Sequence, residues 1–147
     1  MISCDTNILY AALDSRSARH ETARAFLASV QNSDDFALCE LVLVELYGLL
    51  RNPAVSRIPY SPADAAGVIR NFRAHPHWQI LDYPGSRAGI MNELWRMAAF
   101  PSFAYRRIYD ARLALTLRHH RVTEFATGNV KDFRGFGFEK VWDPLTA

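Results

Sequence analysis

Met1-Ile2-Ser3-Cys4-Asp5-Thr6-Asn7-Ile8-Leu9-Tyr10-Ala11-Ala12-Leu13 is the stretch whose reading decides the fold. Its first four residues form a short, mostly apolar run that stops at Asp5, and the second apolar run, from Ile8 to Leu13, is long enough to open a helix. The reading is strand, turn, helix, with an acid at the strand's end. The unit recurs: Phe36 to Cys39 reads as a second buried strand, and Glu40 to Leu50 as a helix that stops before the Asn52-Pro53 turn signal. Between the two units, Ala18, Thr22, Ala25, Phe26 and Val30 follow the helical period over residues 18–30, and Asn32, Ser33, Asp34 and Asp35 break it.

Further along, the proline-bearing stretch Asn52 to Pro62 reads as loop and Pro62 to Phe72 as a helix with Pro near its first position. Trp78 to Tyr83 is predicted as a third strand, Ser86 to Ala99 and Ala104 to His119 as helices, and Val122 to Ala126 as a fourth strand. A Thr127-Gly128-Asn129 turn, Asp132-Phe133, a Gly135-Phe136-Gly137 bend and a short strand around Glu139 to Trp142 complete the chain. Strands alternating with helices imply an α/β domain with a mostly parallel sheet of four to five strands covered by helices. Such sheets bind ligands beyond the carboxyl ends of their strands, where the strand order switches. Asp5, the helix that starts at Glu40 and the Thr127 turn all lie at such ends.

At 147 residues the chain has the size of a single domain, read here as 1–147, and 50% hydrophobic with 22% charged residues is a globular composition rather than a disordered one. No apolar run approaches the about 18 to 20 residues a membrane span needs. Asp5 also interrupts the N-terminal run before a signal peptide's hydrophobic region develops, so a cytoplasmic protein is expected. The net charge of +2 is too small to argue for nucleic acid by itself, although all but two of the 17 cations are Arg, whose planar fork suits phosphate. Cys4 and Cys39 lie in no metal-binding spacing and read as reduced core residues. His119-His120 reads as a helix end facing solvent or the dipole.

Several carboxylates stand where burial is expected. Asp5 follows a buried strand, and its simplest role is a helix N-cap. Glu45 has Leu41, Val42, Gly48 and Leu49 as its helical neighbours, so it reads as a carboxylate on an apolar face, either functional or paired with an Arg. Asp110, with Leu113, Ala114 and Leu117 following at helical spacing, reads the same way, and Arg106 one turn earlier offers a local salt bridge. Asp132 is by default a turn-former that Asn129 could cap. Acids gathered at one strand-end pocket repel one another unless a cation is present. Oxygen-only donors without His or Cys spacing point to Mg²⁺ or Mn²⁺, the ions that activate water and neutralise a phosphodiester during hydrolysis.

Asp5-Thr6-Asn7-Ile8-Leu9, Val44-Glu45-Leu46, Asp110-Ala111-Arg112-Leu113-Ala114 and Thr127-Gly128-Asn129-Val130-Lys131-Asp132-Phe133 together resemble the PIN-domain ribonucleases, and more narrowly the VapC-type toxins of bacterial toxin-antitoxin pairs. The likeness spans essentially the whole chain. It implies a PIN-like three-layer fold and Mg²⁺- or Mn²⁺-dependent cleavage of RNA. It further implies a VapB-type antitoxin as partner and a homodimer. Carried over by position, it assigns Asp5, Glu45 and Asp110 as metal ligands and Thr6, Asn7 and Thr127 as residues that orient them. The fourth catalytic position falls on Asn129, where many members have Asp, or on Asp132. A dehalogenase-type phosphatase would need Asp-x-Asp where this chain has Asp5-Thr6-Asn7, and a receiver domain would need an acidic pair beside Asp5. The competing readings are a PIN fold that binds RNA or a partner without cutting, and an RNA-processing nuclease with no antitoxin.

Overall fold

A computed structural model of the chain describes residues 1–85 and 88–146. Five strands, β1 (Ile2–Cys4), β2 (Phe36–Cys39), β3 (Gln79–Leu81), β4 (Glu124–Ala126) and β5 (Lys140–Trp142), form one sheet in the order β3-β2-β1-β4-β5. Every pairing is parallel. The helices are α1 (Thr6–Leu13), α2 (His20–Val30), α3 (Glu40–Arg51), α4 (Pro62–Arg73), α5 (Ala88–Ala98), α6 (Arg107–His119) and α7 (Val130–Phe133). Among the described residues, no helix is long and apolar enough to cross a membrane.

The alternating reading of the sequence is borne out, including the opening strand-turn-helix. Differences lie at the edges. The predicted third strand shrinks to Gln79–Leu81, because Trp78 turns away to stack on His75 with ring centroids 3.9 Å apart and to donate its indole N–H to the Val30 carbonyl. The helix predicted over 104–119 begins only at Arg107. The start predicted at Ser86 lies outside the described residues. Asp132, read as part of a turn, sits instead in the short helix α7, and Asn129 precedes that helix without capping it through its side chain. Gly135 and Gly137 adopt φ of +88° and +89°, which is why the predicted bend after α7 uses glycine at both places.

The chain lays β2 and β3 to one side of β1 and returns to place β4 and β5 on the other, so the strand order switches between β1 and β4. Cys4 pairs with Ala126, which brings the next residues, Asp5 and Thr127, side by side at the carboxyl edge. Beneath this edge the sheet is dry. Phe36, Leu38, Phe125, Ala126 and both cysteines are fully buried, and the cysteines are free thiols. Val42, Leu43, Leu46 and Leu50 of α3 and Ala111, Leu113, Ala114 and Leu117 of α6 complete the core. Phe125 packs edge-on to Phe133 at 4.8 Å and is stacked on Phe138 at 5.6 Å, which anchors the segment following β4. His120 accordingly has a partner rather than only solvent: its Nε2 lies 2.7 Å from the Asp82 carbonyl, tying the end of α6 to the segment after β3.

Candidate active site

Asp5 is 6% exposed and caps α1, so the simplest sequence reading of it holds. Its Oδ1 accepts the Thr6 N–H at 2.8 Å, and its Oδ2 accepts the Thr127 hydroxyl at 2.7 Å. Both carboxylate oxygens are therefore aimed before any ligand arrives. Burial pushes the Asp5 carboxyl above the usual carboxylate range and the charge of Glu45 adds to this, while the Thr127 and Thr6 bonds oppose it.

Thr6 links two acids, since its N–H serves Asp5 and its hydroxyl donates to Glu45 Oε2 at 3.1 Å. Asn7 Oδ1 accepts the Gly128 N–H at 3.2 Å, and a Cβ on Gly128 would come within 3.2 Å of the Asn7 amide. The start of α1 and the turn after β4 thus meet as closely as glycine allows. Thr127, fully buried, also accepts the Asn129 N–H at 3.0 Å. All three residues that the family likeness marked as orienting groups make such contacts.

Glu45 is a correction to the sequence reading. It is exposed, not set against an apolar core, and no Arg pairs with it among the described residues. The core-facing stripe of α3 is Val42, Leu43, Leu46 and Leu50, while Leu41, Val44, Glu45 and Leu49 line a cavity. On a helix apolar nearly all round, the period alone did not say which side faces the sheet.

Asp110 is half-buried, and the suggested salt bridge with Arg106 does not form. Arg106 lies before the first turn of α6 and donates its Nε–H to the Tyr105 hydroxyl at 3.1 Å, with its guanidinium 5.6 Å from that ring's centroid. Burial raises the Asp110 carboxyl above the usual range, the charges of Asp132 and Asp5 raise it further, and Arg107 counteracts them. Arg107 itself donates to the Asp132 backbone carbonyl at 3.1 Å, which fixes α7 against α6.

Asp5, Glu45, Asp110, Asn129 and Asp132 all line one cavity of about 1000 Å³ at the strand-order switch. Asn129 and Asp132 both reach it. Tyr105, Arg106, Tyr109 and Arg112 form more of its wall. The sequence reading gave no role there to the two tyrosines, although their spacing around Arg106 and Asp110 was a legible signal.

Among the described residues, no three His, Cys, Asp or Glu side chains converge into a finished metal cage. The arrangement fits a hydrated hard cation. Its donors are oxygens, neighbouring acid charges raise the proton affinity of Asp5 and Asp110, and Mg²⁺ typically keeps several waters while contacting only one or two carboxylates.

A family model described as the PIN domain matches residues 2–138. The chain belongs to the PIN-domain family. Within it, the chain is 50% identical over 147 residues to "Ribonuclease VapC24" of Mycobacterium tuberculosis, with 100% of this chain and 99% of that protein aligned. Among solved structures, it is similar to VapC20 of M. tuberculosis (TM-score 0.67, 22% identity, 94% of this chain and 96% of that one). It is also similar to FitAcB from Neisseria gonorrhoeae (TM-score 0.67, 20% identity, full coverage of both chains). These likenesses support the same fold.

The orienting contacts give a first expectation. Thr127→Val leaves Asp5 Oδ2 and the Asn129 N–H without their partner, so ribonuclease activity should fall about 10- to 100-fold. Stability should fall by about 1–3 kcal/mol. Thr127→Ser should restore both, as read from RNA cleavage rates and from thermal midpoints.

Proposed function

We propose that this chain is a metal-dependent endoribonuclease acting as the toxin of a VapBC-type pair, with Asp5, Glu45 and Asp110 holding Mg²⁺ or Mn²⁺ directly or through water. The observation that carries the reading is Asp5. A buried carboxylate, with both oxygens hydrogen-bonded, stands at the strand-order switch beside further acids that form no salt bridge among the described residues. A module that only held RNA would gain nothing from that arrangement, since gathered acids without a bound cation repel RNA phosphates. A divalent ion bound there supplies water activation and neutralisation of phosphodiester charge.

The chain's own residues do the rest. Thr6 and Thr127 hold the Asp5 carboxylate, Thr6 steadies Glu45, and Asn7 fixes the turn that carries Asn129 and Asp132 to the cavity. Arg106 and Arg112 line the same cavity without an ion-pair partner among the described residues, which leaves their charge for RNA phosphate. The 50% identity with a VapC ribonuclease supports the substrate class and a VapB-type antitoxin as partner. The localisation that follows for such a toxin is the bacterial cytoplasm.

The test is RNA cleavage by the purified chain with and without chelator. Cleavage should require Mg²⁺ or Mn²⁺, stop in excess EDTA and return on adding metal. His119 and His120 should be replaceable without loss, unlike in a metal-free ribonuclease that uses His as acid and base. Cleavage that persists in EDTA would overturn the metal assignment.

A further inference from the structure

Tyr105 and Tyr109 are 79% and 67% exposed, yet both belong to the wall of the cavity that holds the acids. Large aromatic rings left in water beside a reaction centre are poorly explained by folding, because neither contributes to the core. Tyr105 is also held in place, with Arg106 donating to its hydroxyl and lying over its ring. Arg112 is the second cation of the wall, and its buried Nε has no hydrogen-bond partner among the described residues. Val44, 70% exposed, adds apolar surface from α3.

Rings, guanidinium groups and acids on one wall match the parts of a single nucleotide unit: a flat base, a phosphate and the bond to be cut. We infer that Tyr105 and Tyr109 form a stacking platform for an unpaired nucleobase next to the scissile phosphate, with Arg106 and Arg112 holding the flanking phosphates. This rests on the ribonuclease reading and adds to it the residues that hold the base beside the bond to be cut. A base inside a duplex presents no free face to such rings, whereas a single strand does. Exposed rings beside cations that form no salt bridge among the described residues fit a base with its phosphate, and a divalent ion at the acids would offset the repulsion those acids exert on RNA.

The test measures binding separately from cleavage. The full chain carrying Asp110→Asn is titrated with a mixed-sequence single-stranded RNA oligonucleotide containing a fluorescent adenine analogue that stacking quenches, and with the same oligonucleotide as a duplex. The single strand should bind with quenching, and the duplex more weakly. Adding Tyr105→Ala and Tyr109→Ala together should weaken single-strand binding about 10- to 100-fold and remove the quenching, while Tyr109→Trp should keep both. Both tyrosines are exposed, so the thermal midpoint should hardly move. Unchanged affinity and quenching in the double variant, no binding by its parent, or equal binding of duplex would each overturn the platform. So would variants that lose only inhibition by the antitoxin, which would assign the rings to a protein partner. Cleavage by the chain without these substitutions reports on the nuclease reading alone: if it cuts RNA and the platform test fails, only the platform falls.

Discussion

Asp110→Asn is expected to lower RNA cleavage by at least about a hundred-fold while leaving the protein folded. The change keeps the side chain's size and removes one charge from a cavity where burial and the charges of Asp132 and Asp5 already oppose ionisation. An amide is a poor ligand for a hard cation, and even groups that merely orient a metal ligand are worth about 10- to 100-fold. A structural role for Asp110 would predict the reverse pattern, active but unstable, because removing one member of a buried pair strands the other. The geometry gives no support to that alternative, since Arg106 turns to Tyr105 instead.

The pH dependence of stability follows from the same residue. A carboxyl whose folded-state proton affinity is raised contributes stability that is fully present below its unfolded pKa and is lost as pH rises through the folded one. Metal-free wild-type protein should therefore be less stable than Asp110→Asn at neutral pH. The gap should close on acidification towards the ordinary carboxylate range. Thermal midpoints of both proteins across that range, with cleavage measured on the same preparations, decide the matter. A destabilised variant that still cuts at the wild-type rate would refute the assignment.

Phe125→Ala should have the largest effect on stability. Phe125 is fully buried in β4 and touches Phe133 and Phe138, so its removal empties the space that fixes α7 and the following bend against the sheet. Phe to Ala in a core costs about 3–5 kcal/mol, a large part of the about 5–15 kcal/mol that separates folded from unfolded domains. The midpoint should fall by on the order of 10 °C. Activity should fall in the surviving folded protein too. The neighbouring Ala126 carbonyl accepts the Asp5 N–H at 2.9 Å, and Thr127 follows directly, so a shift of β4 misplaces the Asp5 carboxylate. Denaturation curves and cleavage at a temperature where the variant is still folded separate the two losses.

The sequence by itself determined the alternation of strands and helices, the acid closing the first strand and the four motifs that carry the family likeness. These are local signals: an apolar run of strand length, a turn residue, a helical period. It did not determine strand order. The pairing of Cys4 with Ala126 joins residues far apart in the chain, and nothing near either one announces the other. Nor did it determine which way α3 faces, because apolar residues surround Glu45 on most of that helix, and only packing against the sheet shows Glu45 to be an exposed wall of the cavity. The same holds for Asp110, whose neighbour at helical spacing offers a partner in sequence, whereas in the structure the helix begins only at Arg107 and Arg106 goes to a tyrosine ring. Residue spacing fixes which groups can meet within one element. Which of them do meet across the sheet edge, and which rings are left facing water there, was decided only when the core chose the buried face of each helix.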